Sequence, residues 1–209
     1  MGLSGDGDEE TRKPTFSNDV LRLEVSGPDQ EHLSVIDVPG IFKSTIEGLT
    51  TKADIKLVRK MVKDYMENPR SVMLAVVLAN VDVATQEILE RAAEVDADGD
   101  RTLGILTKPD LVDKGGESGV FDLLYGRTRR MKLGWHLIRN LGQEELQTGG
   151  VDPYELEAEF FSSCEPWSSI GKDKRGVCSL RLRLKEVLSS LVKREFPKVG
   201  KRPLCSEKR

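Results

Sequence analysis

EVDADGDRTLGILTKPDL, residues 94–111, decides the reading of the fold. Inside it, Thr102-Leu103-Gly104-Ile105-Leu106 is an apolar run too short for a helix, entered through Asp98-Gly99 and left through Thr107-Lys108-Pro109-Asp110. It predicts a buried strand whose carboxyl end opens onto a polar loop. Upstream, residues 84–95 place Ile88, Leu89, Ala92 and Val95 at helical spacing, and residues 72–79 (VMLAVVLA), bounded by Pro69 and Asn80, read as a second strand covered on both faces. Strand, helix, strand in series predicts a parallel α/β sheet, with ligand chemistry at the carboxyl ends of its strands.

Outward from this unit the alternation continues. Ile55, Val58, Met61, Val62 and Tyr65 predict an amphipathic helix over 54–65, stopped by Asn68-Pro69. Downstream come a helix near 120–125, a strand near 135–138, an acidic helix over 153–161 and a long amphipathic helix over 180–194 stopped by Pro197. Toward the amino end, Val20, Leu21, Leu23 and Val25 run into Ser26-Gly27-Pro28-Asp29, and Leu33-Ser34-Val35-Ile36 follows at once. Two strands this close predict an antiparallel hairpin leading into Asp37-Val38-Pro39-Gly40.

Composition narrows the class. The 209 residues hold 32 Lys+Arg against 35 Asp+Glu, a net charge of −3, which excludes a nucleic-acid binder or a polybasic membrane anchor. A hydrophobic share of 38% with mean hydropathy −0.38 fits one domain with polar ends. The longest apolar run falls short of the roughly 20 residues of a membrane helix, and the acidic start MGLSGDGDEE is the reverse of a signal peptide. A soluble, cytoplasmic protein is expected, with residues 1–15 a disordered acidic tail and 200–209 a loose polar one. Cys164, Cys178 and Cys205 form no CxxC pair, and His32 and His136 have no ligand-spaced partners, so reduced thiols and no zinc site are expected. Asp96-Ala97-Asp98-Gly99-Asp100 resembles the start of a calcium loop, but Arg101 and Thr107 stand where glycine and glutamate are required, so it reads as a polar turn.

Three short motifs fall just past predicted strands. In Asp37-Val38-Pro39-Gly40, the Asp can hold magnesium through its water shell and the Gly lets a backbone N–H approach a terminal phosphate; a tight turn is the equal alternative. In Thr107-Lys108-Pro109-Asp110, a carboxylate accepting from a purine ring N–H and its exocyclic amine selects guanine, while the Lys stem lies over the base and Thr107 braces the loop; alone, the segment is also a helix-initiating loop capped by Asp110. Arg139-Asn140-Leu141-Gly142-Gln143 supplies amides for a third loop that closes over base and sugar. The order and spacing of the three give them their weight.

From Phe16 to about Val199 the chain resembles the guanine-nucleotide-binding domain of dynamin-family large GTPases, particularly the fungal dynamin-like proteins related to the Mx group. The resemblance is carried by SNDVLRLEVSGPDQ, LSVIDVPG, NPRSVMLAVVLANVD, EVDADGDRTLGILTKPDL, LGWHLIRN and RLRLKEVLSSLVKREFP. It implies a three-layer P-loop-GTPase-like sheet with helices on both faces, spanning 16–199 with 180–197 as its closing helix. Asp37 would serve magnesium and Gly40 the γ-phosphate; Thr107, Lys108 and Asp110 would bind the guanine of GTP or GDP; Asn140 and Gln143 would line the base and ribose pocket. Leu141 departs from the basic residue often found there. Association with dynamin-like relatives, and membrane or microtubule work from a cytoplasmic position peripheral to membranes, are implied for full-length proteins of this kind.

The same resemblance implies a first strand, a phosphate loop ending in Gly-Lys-Ser and a switch threonine ahead of Val20. Only Gly2 to Gly7 has phosphate-loop spacing, and Asp8-Glu9 follows it where Lys-Ser is required. The expectation is a domain with its first strand and phosphate loop missing, in which guanine recognition survives and hydrolysis is compromised. A central strand missing beside residues 72–79 would expose unpaired edges and leave the chain marginal or aggregation-prone. The alternative is a degenerate, non-catalytic GTPase acting as an interaction module, or a gene-model fragment.

Overall fold

A computed structural model describes residues 15–28, 34–47, 49–150 and 152–199. The expected tails at 1–15 and 200–209 lie outside these residues apart from Thr15. The chain divides into two compact units, Met1–Asn68 and Pro69–Arg209.

Among the described residues of the first unit the regular element is α1, Lys52–Met66, whose buried stripe Asp54, Val58, Val62 and Met66 follows the four-residue repeat. Thr51 and Asp54 form its capping box: the Asp54 N–H donates to Thr51 Oγ1 at 3.2 Å, and Asp54 Oδ2 accepts the Thr51 N–H at 2.8 Å. Hydrogen bonds from the Thr51 side chain and backbone hold the Asp54 carboxyl below its usual range. Thr15 Oγ1 donates to Leu49 O, and the Phe16 and Phe42 rings stack at 5.6 Å.

The expected hairpin does not form. Residues 20–25 and 34–36 carry no ladder, and Val20, Leu21, Leu23, Val25, Val35 and Ile36 are all exposed. Its turn, at 29–33, lies outside the described residues. A lone two-stranded ribbon is marginal without a further strand or a helix against its apolar face; alternation alone does not supply that cover.

The second unit is built on a parallel sheet, β1 (Met73–Leu78), β2 (Thr102–Thr107) and β3 (Trp135–Ile138), in the order β1-β2-β3. Helices α2 (Glu87–Val95), α3 (Glu117–Leu124), α4 (Gln143–Thr148), α5 (Pro153–Ser163) and α6 (Val177–Val199) follow in chain order. On one face Ala75, Val77, Leu106, Trp135 and Leu137 pack with Leu89 of α2, Leu123 and Leu124 of α3 and Phe161 of α5. On the other, Leu103 and Ile105 meet Leu180 and Leu184 of α6. Helices thus cover both faces of β2, and every residue of that strand is buried.

β1 is different. The sequence predicts a strand covered twice; the structure covers Ala75 and Val77 but leaves Leu74, Val76 and Leu78 at 41%, 56% and 38% exposure. α6 covers this face only over β2 and β3. At the carboxyl end of the fold, α6 continues to Val199, past the Pro197 expected to stop it. A proline so near the end of a helix forfeits one backbone bond among carbonyls that are already losing partners.

The segment before β2 closes on Asp96. Its carboxylate accepts from the N–H groups of Asp100 and Arg101, each at 3.0 Å, and from Thr102 Oγ1 at 2.5 Å. Burial pushes its pKa up, but these bonds together prevail and hold it below the ordinary value. Lys132 pairs with Asp100 at 2.9 Å. The acids of this stretch therefore serve a turn.

Candidate functional site

The carboxyl ends of β2 and β3 are neighbours because Thr107 pairs with Ile138 across the parallel ladder. The loops 108–110 and 139–143 therefore leave adjacent strands at the same end of the sheet. Thr107, the last residue of β2, is buried; its hydroxyl donates to Val77 O at 3.2 Å, bracing β2 against β1. Lys108 follows in the left-handed conformation, φ 55° and ψ 53°, which turns the chain sharply out of the sheet. Pro109 is buried and opens the short helical turn Pro109–Leu111, leaving Lys108 and Asp110 exposed on either side. A cation and a carboxylate presented around a buried proline form a rigid, solvent-facing pair with which a planar polar ligand can engage.

The second loop is held by carboxylates rather than by packing. Arg139 donates to Glu145 Oε1 at 2.5 Å, and Glu145 Oε2 accepts the Gly142 N–H at 2.7 Å. The Arg139–Glu145 ion pair and the Gly142 hydrogen bond hold the Glu145 carboxyl below its usual range, with the Arg139 bond the larger cause. The Arg139 guanidinium also lies over the Phe160 ring at 5.8 Å. Asn140 is exposed at the crest of the loop, and Gln143, also exposed, is the first residue of α4.

Of the sequence-predicted residues, Thr107, Lys108, Asp110, Asn140 and Gln143 thus share one end of the sheet. Asp37 and Gly40 belong to the first unit, where both are exposed in a stretch without regular structure. A side chain at Gly40 would meet nothing within 4 Å. Among the described residues no group of three His, Cys, Asp or Glu converges on a metal position. A single exposed carboxylate such as Asp37 fits an outer-sphere role, in which phosphate oxygens and water supply most ligands.

Two clefts open elsewhere on the second unit, one of about 510 Å³ beside Asn80, Asp82, Gly116 and Arg129, and one of about 370 Å³ beside Arg101, Arg183 and Glu186. Neither is lined by the two loops. Sequence reasoning missed Glu145 and Glu157, which hold the second loop in place. The Gly142-to-Glu145 spacing is a capping signal that was readable; Glu157, far along the chain, left none.

A model of the dynamin family matches residues 5–109, and a model of the dynamin central region matches residues 119–202. The interferon-induced GTP-binding protein Mx1 of Mus musculus is 36% identical over 186 residues, which cover 87% of this chain and 29% of that protein. The Mx protein of Perca fluviatilis is 38% identical over 149 residues, 70% of this chain and 49% of its own. The Mx2 protein of Ovis aries is 41% identical over 131 residues, 63% and 18% respectively. The chain thus spans less than half the length of the relatives it matches.

Proposed function

The chain belongs to the dynamin family, and from that premise we propose that its second unit is the guanine-reading part of a GTP-binding domain. In this reading Asp110 accepts the ring N–H and exocyclic amine of guanine, the Lys108 stem lies over the base, and Thr107 fixes the strand end from which both project. Asn140 and Gln143 line the base and ribose. The observation that carries the reading is the Thr107–Ile138 register, which puts both loops at one end of the sheet. Adenine lacks the donor pair that Asp110 would accept, so a site built this way discriminates by leaving that carboxylate without its two hydrogen bonds when adenine binds.

At the phosphates, Gly40 would offer its N–H to the γ-phosphate and Asp37 would hold magnesium through water. Bound there, magnesium neutralises charge developing on the transferred phosphoryl oxygens. The 209 residues hold no glycine-rich segment ending in Lys-Ser or Lys-Thr; Asp8-Glu9 follows the one stretch with the right glycine spacing. By this reading the chain recognises guanine and hydrolyses GTP poorly by itself. Assembly with dynamin-like relatives, membrane remodelling and microtubule work are roles we attach to the protein bearing this domain, on family membership alone.

A second reading is favoured by one observation. The exposed apolar face of β1, Leu74, Val76 and Leu78, suits a degenerate, non-catalytic domain that acts by association. Titration of the purified chain with fluorescent GDP, GTP and ATP analogues separates the two. The guanine reading expects saturable binding of the guanine analogues over ATP, weakened about tenfold or more by Asp110→Ala. Absence of a guanine preference, or one that Asp110→Ala leaves intact, overturns it in favour of the interaction module.

A further inference from the structure

We infer that Glu157 is a positioning residue that joins the loop after β3 to the first turn of α6, so that a change in either segment is felt in the other. Glu157 stands on α5 and is 5% exposed. Its carboxylate receives two backbone N–H groups from segments distant in sequence: Arg139 N lies 2.9 Å from Oε1 and Val177 N lies 2.7 Å from Oε2. A carboxylate this buried persists only when its oxygens are satisfied, and here each oxygen is satisfied by a different segment.

Both partners stand at the start of a segment. Arg139 opens the 139–143 loop, whose far side Glu145 ties through Arg139 and Gly142. On the helix side, α6 begins at Val177 immediately after Gly176, which has no side chain with which to cap it. Glu157 therefore supplies from α5 the acceptor that the helix start leaves wanting, with negative charge where the helix dipole favours it. Gly176 is held in turn by β3: its N–H donates to Leu137 O at 2.8 Å, and its carbonyl accepts from His136 Nε2 at 2.9 Å. Its φ of +81° is the left-handed backbone that favours glycine, and an added Cβ would lie in ordinary contact with Glu157 Oε2. The strand, the loop and the helix start thus converge on one side chain, and coupling through it is reciprocal.

The exchange of backbone amides in the full chain tests this without any ligand. Val177→Pro removes the N–H that Oε2 accepts, at the first helical position, where proline is tolerated, and leaves Arg139 and Glu157 unaltered. The expected result is retained α6 helicity by circular dichroism with exchange at the Arg139 amide quickened about tenfold. Glu157→Gln, which turns an NH2 group toward one of the two donors, is expected to quicken exchange at both Arg139 and Val177. If Glu157→Gln quickens both but Val177→Pro leaves the Arg139 amide at its wild-type rate, the carboxylate holds two independent segments and the coupling is refuted. A guanine-nucleotide analogue supplies the reverse arm, which rests on the guanine reading: bound, it is expected to slow exchange at Val177 in the wild type and not in Glu157→Gln. Failure of the analogue to bind counts against the guanine reading alone, since the ligand-free comparison decides the coupling.

Discussion

Position 104 shows how a single residue sets the sheet. Gly104 pairs with Trp135 across β2 and β3, and an added Cβ would overlap the indole ring closer than real Cβ atoms come to any neighbour. Gly104→Ala is therefore expected to cost about 1–3 kcal/mol and to lower the thermal midpoint of the second unit, as measured by calorimetry. The glycine was legible as an interruption of an apolar run; its reason was not, because Trp135 sits on a different strand. His136 beside it is fully buried, with Nε2 on Gly176 O and no hydrogen-bond partner for Nδ1 among the described residues. Burial lowers its pKa below the ordinary 6.5, with the charges of Arg183 and Lys174 adding to the effect and the Gly176 bond and Asp173 opposing it. The unfolded chain then binds this proton more tightly, so its contribution to stability is full above the unfolded pKa and is lost as pH falls through about 6.5 toward the folded value. Thermal midpoints measured from about pH 8 to about pH 5.5 should fall less in His136→Gln than in the wild type; equal slopes would remove His136 as the cause.

Elements were readable where periodicity and caps agree. α1 announces itself by both, and its capping box makes a clear prediction: Thr51→Ala removes the acceptor for the Asp54 N–H and should destabilise the first unit by about 1 kcal/mol, seen as a lower urea midpoint with an unchanged slope. β2 and β3 were legible to within a residue because their runs are apolar and end in polar loops. α4 was not: Gln143–Thr148 is polar nearly throughout, so no face marks it, and its start is a glycine whose cap comes from Glu145. The 20–36 region failed in the opposite sense, since alternation there is genuine but nothing covers the apolar side. The candidate site follows the same division. Its reading residues, Thr107, Lys108, Asp110, Asn140 and Gln143, stand in local motifs and were visible; of the carboxylates that fix its second loop, Glu145 has a local capping spacing, whereas Glu157 reaches Arg139 from α5, where no short pattern reports it.

For the molecule as a whole, the open face of β1 matters most. Leu74, Val76 and Leu78 form an uncovered apolar row on a strand with one described neighbour, a surface that favours association. Val76→Lys should leave stability within about 0.5 kcal/mol while reducing concentration-dependent self-association in sedimentation velocity. Val77→Lys, which points into the opposite, buried face, should unfold the second unit. A cooperative thermal transition with native-like near-UV dichroism and no association at high concentration would contradict the expectation of a marginal, aggregation-prone chain. The tryptophans decide what such experiments observe. Trp135 and Trp167, the two in the sequence, are 1% and 5% exposed and both lie in the second unit, Trp167 stacked on Phe121 at 6.0 Å. Intrinsic fluorescence is thus a local lamp: its emission should be blue-shifted and should redden when the sheet opens, while α1 can melt in the dark.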